Sequence, residues 1–200
     1  VNNNNVTLVT ITDAVNSRAN CVLMNVRSIV NKADDLIVYL ATFKPLLVFL
    51  TETWLDVSIP DSLYLGPYVK CYNCVRKDRS VGVGGGVCAL INSELCCLPV
   101  DTPSNIELVA FDVQFYDTIY RFILCYRPPY YDVDSRKYFA DVLMCLYDLC
   151  KVKYNIIIVG DFNLPYIDWS NFCTDVLYDE VHLPFVEFVC EHGFVQCVSA

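Results

Sequence analysis

The chain has 200 residues, 55% of them hydrophobic, with 14 Lys and Arg against 23 Asp and Glu for a formal net charge of -9. That apolar share excludes a disordered chain, and the length suffices for one sizeable core, so one globular domain is expected rather than two. The acidity excludes a nucleic-acid coat held by overall positive charge, because such affinity comes mainly from Lys and Arg neutralising phosphates.

Residues 1–153 hold all 14 bases and 16 acids, whereas residues 154–200 hold 7 acids and no base. The stretch from Arg18 to Arg79 is mildly basic, with 8 bases against 6 acids, which leaves room for a local contact with a polyanion. The 12 cysteines fall below the density of a disulfide scaffold. Cys21, Cys88, Cys125, Cys145, Cys150 and Cys190 lie in apolar runs, where a thiol behaves as a small hydrophobe. No disulfide partner is therefore expected, and a reducing, intracellular compartment is. Cys71 and Cys74 have zinc spacing, but no second such pair or His-x3-His follows, so chance spacing is the better reading. The opening VNNNNVTLVT lacks the basic start and leucine-rich core of a signal peptide. No apolar run reaches the ~18 residues that would cross a bilayer, and no membrane partner is expected.

The first 20 residues are polar and Asn-rich and are expected to form a loose lead-in. CVLMNV (Cys21 to Val26) and LLVFL (Leu46 to Leu50) fit buried strands. Between them Leu36, Leu40 and Phe43 recur at helical spacing over Asp34 to Phe43, and Pro45 closes the segment. Asp56 to Arg79 is polar and broken by Pro60, Gly66 and Pro67, so loops are expected before a strand at Val87 to Ile91. Glu107 to Phe115 and part of Ile119 to Cys125 alternate, with a hairpin turn at Tyr116 to Thr118, implying strands with one covered face. Ser135 to Lys151 is the clearest helix, with Ser135 as its cap. IIIV (Ile156 to Val159) reads as a buried strand, Leu183 to His192 as a helix stopped by Gly193, and Val195 to Val198 as the opening of a further strand. The pattern predicts a layered α/β domain built on a β-sandwich.

Three polar positions stand at or just past the ends of buried apolar strands: Asn25 after CVLM, Glu52 after LLVFLT, and Asp161 with Asn163 after IIIVG. Side chains at the ends of core strands are held rigidly yet reach an open edge, as a preformed polar site requires. Two carboxylates and two amides would suit Mg2+ or Mn2+, which take oxygen ligands. Each residue alone is better read as a solvated loop residue, a turn or a helix cap, and it is their joint occurrence that points to a site. Arg76, Lys77 and Arg79 are expected on a loop, as phosphate contacts or as a solvated hairpin. Arg127 either braces a phosphate or pairs with an acid, and Tyr166 and Trp169 either stack on a base or pack. The glycines around Gly82 to Gly86 do not make a nucleotide cradle, and His182 and His192 are poor catalytic candidates.

MNVRSIVNK (Met24 to Lys32), LTETWLD (Leu50 to Asp56), RKDRSVGVGGGV (Arg76 to Val87), CYRPPY (Cys125 to Tyr130) and VGDFNLPYIDW (Val159 to Trp169) occur in that order. Together they resemble the apurinic-endonuclease-like domain of non-LTR (LINE-type) retrotransposons, of the endonuclease/exonuclease/phosphatase superfamily. The resemblance spans Cys21 to Val198 and implies a four-layer α/β sandwich, two mainly antiparallel sheets flanked by helices. It also implies Mg2+-dependent DNA nicking whose 3′-hydroxyl primes reverse transcription by a reverse transcriptase downstream in the same polyprotein, in the nucleus. By the same resemblance Glu52 is a metal ligand, Asn25 lies beside the metal, and Asp161 aligns or deprotonates the attacking water. Asn163 donates to phosphate oxygens, and Tyr126 contacts the scissile phosphate.

The family's terminal Ser-Asp-His is not found before Ala200. This implies a fragment of a longer protein or a decayed copy, lacking its C-terminal strands and with weak or absent activity alone. Two other functions stay open: a superfamily phosphatase or phosphodiesterase, and a non-catalytic remnant or binding module.

Overall fold

The computed structural model describes residues 6–12, 18–80, 82, 84–130, 133–174 and 180–197. The chain divides into two units, the first running to Tyr126 and including Tyr154–Asp161, the second made of Arg127–Lys153 and the residues from Phe162 onward.

The first unit begins with strand β1 (Val6–Thr12), antiparallel to β2 (Arg18–Asn25). The expected loose lead-in thus contains a strand, in keeping with the β-branched alternation of VTLVTIT. Helix α1 (Ala33–Phe43) opens with Asp34 and Asp35, which complement its positive N-terminus, and ends at Lys44, whose φ of 45° is left-handed. It is the crossover between β2 and the parallel strand β3 (Leu47–Thr51). Leu36 and Leu40 are buried, but Phe43 is exposed and packs its ring on Tyr39 at 4.7 Å.

The segment expected as loops holds helix α2 (Asp61–Leu65), a 3-10 turn (Gly66–Lys70) and strand β4 (Tyr72–Lys77). Tyr64, Leu65 and Tyr72 are buried there, so core contacts override the polar composition. With β5 (Val87–Asn92) these strands form a sheet in the order β1-β2-β3-β5-β4. The second sheet takes β6 (Cys97–Val100), β7 (Leu108–Phe115), β8 (Thr118–Tyr126) and β9 (Asn155–Asp161) in sequence. Among the described residues only β2·β3 and β8·β9 pair in parallel.

Strand periodicity divides the core. Leu47, Phe49, Val87, Ala89 and Ile91 face the second sheet, where Val109, Phe111, Phe122 and Leu124 meet them. Phe49, Phe111 and Phe122 interlock with ring centroids 5.6–6.3 Å apart. Val48, Leu50, Cys88 and Leu90 point the other way, onto Leu36, Leu40, Tyr64 and Leu65. Leu108 to Phe111 are all buried, so both faces of β7 are covered where alternation implied one.

The second unit holds helix α3 (Val133–Leu149), the short antiparallel pair β10 (Ile167–Asp168) and β11 (Cys173–Thr174), and helix α4 (His182–Glu191). Because α3 starts at Val133, Ser135 lies inside its first turn rather than capping it. Phe185 gathers Phe139, Phe162 and Trp169 at 4.7–6.3 Å, so Trp169 packs within this unit. Gly193 follows α4 at φ 64°, as expected of a helix stop. Cys190 is exposed on α4 despite its apolar neighbours. Residues 195–197 form no strand, and Val198 lies outside the described residues.

The fold is therefore mixed α/β, with two mainly antiparallel sheets face to face, as expected from the sequence. Among the described residues no helix is long and apolar enough to cross a membrane.

Candidate active site

Parallel strands deliver their C-terminal residues to the same edge, and the first unit uses this twice. Asn25 ends β2 opposite Thr51, the residue before Glu52; Tyr126 ends β8 opposite Asp161, the last residue of β9. The two sheets join at this edge through two side-chain bonds. Asn25 Nδ2 donates to Asp161 Oδ2 at 3.0 Å, and the Tyr126 hydroxyl donates to Glu52 Oε1.

Glu52 receives further donors on its other oxygen, from Trp54 Nε1 at 2.7 Å and the Gly85 N–H at 3.1 Å. Burial alone would raise its carboxyl, but the bonds from Tyr126, Trp54 and Gly85 and the nearby Arg79 charge outweigh burial and hold it below the ordinary carboxylate range. Tyr126 is pushed far up by burial and by its bond to Glu52, so its phenol stays protonated. Glu52 and Trp54 have φ of 58° and 56°, left-handed values that cost about 1–3 kcal/mol each and that cluster at functional sites.

The glycine run is what lets the loop approach. A Cβ on Gly85, at φ 72°, would overlap the Arg79 guanidinium. Two N–H groups of this run donate to carboxylates, Gly85 to Glu52 and Gly86 to Glu107. Glu107 also accepts Arg79 Nε at 2.6 Å, and Arg79 Cζ lies 5.9 Å from the Tyr126 ring centroid.

Of the residues named from sequence, Asn25, Glu52, Tyr126 and Asp161 stand together, with Arg79 beside Tyr126. Arg76 and Lys77 lie on strand β4 rather than a loop, because they pair with Cys88 and Val87. Arg76 binds Asp61 at 2.9 Å, the Ile59 carbonyl at 3.0 Å and Asp78 at 3.3 Å. In the second unit Arg127 is buried, bonded to the carbonyls of Asn163 at 3.0 Å and Tyr130 at 2.7 Å, with Cζ 5.5 Å from the Phe139 ring. Asn163 Nδ2 donates back to the Arg127 carbonyl at 2.7 Å, so these two residues, 36 apart in the chain, tie their segments together reciprocally. His192 lies at the end of α4 among Phe188, Phe194 and Tyr147.

Sequence reasoning missed Trp54, Gly85 and Glu107 as parts of this edge. Trp54 adjoins Glu52 in ETWL and could have been named; Glu107 carries no local signal, its partners being 21 and 28 residues away.

The donor set suits a hard cation. Asn25 Oδ1 is buried with no hydrogen-bond partner, and the carboxylates of Glu52 and Asp161 bond to the same edge. Among the described residues no three His, Cys, Asp or Glu side chains are grouped so as to hold a metal ion by themselves, and Cys74 faces Cys88 Sγ at 3.3 Å rather than Cys71.

Residues 120–200 match the family described as endonuclease-reverse transcriptase. No curated protein matches the chain. Among solved structures it is similar to an AP endonuclease from Archaeoglobus fulgidus, with 15% identity and a TM-score of 0.57 over 86% of this chain and 69% of that one. AP endonuclease LMAP from Leishmania major gives 13% identity and a TM-score of 0.63, over 86% and 66%. The endonuclease domain of TRAS1, a telomere-specific non-LTR retrotransposon, gives 13% identity and a TM-score of 0.56, over 86% and 70%. These likenesses show a shared fold, the endonuclease/exonuclease/phosphatase sandwich.

Proposed function

We propose that this chain hydrolyses phosphodiesters in DNA with a divalent cation, Mg2+ or Mn2+, and nicks one strand. The observation that carries the proposal is the meeting of Asn25, Glu52, Tyr126 and Asp161 at one edge of two sheets, tied across the interface by side-chain bonds. Glu52, already ionised by its donors, and Asn25 Oδ1 would hold the cation. When bound, the cation supplies positive charge to the phosphoryl oxygens as negative charge develops on them.

The chain's own groups divide the remaining work. Asn25 holds one oxygen of Asp161 and so orients the carboxylate, which takes the proton of the attacking water. Tyr126, kept protonated, exchanges its Glu52 partner for a phosphoryl oxygen and donates to it. The match to an endonuclease-reverse transcriptase family and the likeness to a retrotransposon endonuclease domain support a further step. In it the 3′-hydroxyl of the nick primes a reverse transcriptase of the same polyprotein, in the nucleus.

The test is relaxation of supercoiled plasmid. The chain should nick in Mg2+ and not in EDTA, and Glu52→Gln or Asp161→Ala should lower the rate by about a hundredfold or more. Equal nicking by the variants would refute the assignment. Release of terminal phosphate from DNA without nicking would reassign the site to a phosphatase.

A further inference from the structure

Six arginines have described side chains, and five of them are bound within the protein. Arg76, Arg79, Arg121 and Arg136 each hold a carboxylate, and Arg127 holds backbone carbonyls. Arg27 is the sixth: it is exposed, and among the described residues it has no partner.

Its backbone is pinned to the active edge. The Val26 N–H donates to the Thr51 carbonyl at 3.0 Å and the Ser28 N–H to the Glu52 carbonyl at 2.9 Å, so Arg27 is bracketed by bonds to the strand end that carries Glu52. The Ile29 N–H continues the ladder to the Thr53 carbonyl at 3.0 Å. Within this bracket Arg27 and Ser28 both adopt left-handed φ, 43° and 78°. Two successive non-glycine residues in that region are strained, and they persist here because the flanking bonds and the buried Val26, Ser28 and Ile29 fix them. Lys32 donates to the Val26 carbonyl and holds the loop from the other side.

We infer that Arg27 binds a backbone phosphate of the substrate next to the one being cleaved. A guanidinium presents paired N–H donors that match two phosphate oxygens. In a chain of net charge -9 whose other described guanidiniums are occupied, Arg27 is the cation placed to recognise a second phosphate. A second phosphate exists in a polynucleotide and not in a simple phosphate ester, so Arg27 selects for nucleic-acid strands. The inference rests on the reading that a phosphodiester is bound at Glu52 and Tyr126.

The experiment measures binding of the full chain to a fluorescein-labelled DNA duplex by anisotropy, in EDTA, between 50 and 200 mM salt. One lost phosphate contact reduces the slope of log affinity against log salt by about 0.9, so wild-type binding should fall about 3.5-fold further over that range than binding by Arg27→Gln. Arg27→Gly, which suits the left-handed backbone and so should fold, should behave like Arg27→Gln; Arg27→Lys should keep the slope with weaker binding. Lys151→Gln, at a surface pair with Asp148, should change nothing. Equal slopes for wild type and both neutral variants would overturn the role of Arg27 alone. Loss of plasmid nicking in Glu52→Gln with the slope intact would then still support the active site. No binding by the wild type at the lowest salt would overturn both.

Discussion

Gly160 is the residue that sets Asp161 in place. It stands opposite Cys125 where β9 lies parallel to β8. A Cβ at this position would come 2.9 Å from the Cys125 carbonyl carbon and 3.1 Å from its nitrogen, and closer still to the carbonyl oxygen. Those neighbours are backbone and cannot turn aside, so Gly160→Ala must push β9 from β8 and weaken the ladder that aligns Asp161 with Tyr126. Overpacking costs about 1–3 kcal/mol and each weakened buried hydrogen bond about 1 kcal/mol more, so about 3 kcal/mol in all. For a chain of this size that lowers Tm by about 6–12 °C. The paired control is Gly193→Ala, where a Cβ meets nothing within 4 Å and only the left-handed φ of 64° is strained; it should cost about 1 kcal/mol. Circular dichroism melts read the difference, and nicking assays below both melting points should show Gly160→Ala impaired and Gly193→Ala unchanged. If Gly160→Ala melts within 2 °C of Gly193→Ala and nicks equally fast, the close approach of β8 does not position Asp161.

Trp54→Phe keeps an aromatic ring and removes the N–H that donates to Glu52 at 2.7 Å. With the indole 43% exposed, the loss is about 1 kcal/mol, so the apparent Mg2+ requirement should rise about fivefold with little change in Tm; an unchanged Mg2+ titration would refute this. Because the Glu52 carboxyl is held below its ordinary value, the stability it adds is fully present above that value and is lost as pH falls through the lower folded one. In EDTA, the Tm gap between wild type and Glu52→Gln should therefore hold from pH 7 to about 5 and shrink as the pH falls further, and a gap that widens in acid would contradict the assignment.

The strand ends were legible because an apolar run that stops on one polar residue marks where a core strand meets solvent, as at Asn25, Glu52 and Asp161. Their partnership was not. Asn25 and Asp161 are 136 residues apart and Tyr126 and Glu52 are 74 apart, and no local spacing encodes such bonds. The same distance hid Glu107, which reads locally as the first residue of an alternating strand and lies buried against Arg79 and Gly86. Polar composition misled where burial came from elsewhere in the chain. Tyr64, Leu65 and Tyr72 sit among Pro, Gly and charged residues and are nevertheless core. Arg76 and Arg127, plausible as phosphate contacts by charge alone, instead hold Asp61 and backbone carbonyls, whereas the unremarked Arg27 is exposed at the active edge.

Electron paramagnetic resonance of Mn2+ titrated into the chain examines the site without requiring turnover. One equivalent should bind, Glu52→Gln and Asn25→Ala should each weaken it by tenfold or more, on the order of 1.4 kcal/mol, and Mg2+ should displace it. Mn2+ binding unchanged in both variants, or no bound Mn2+ in the wild type, would contradict a cation site at the ends of β2 and β3.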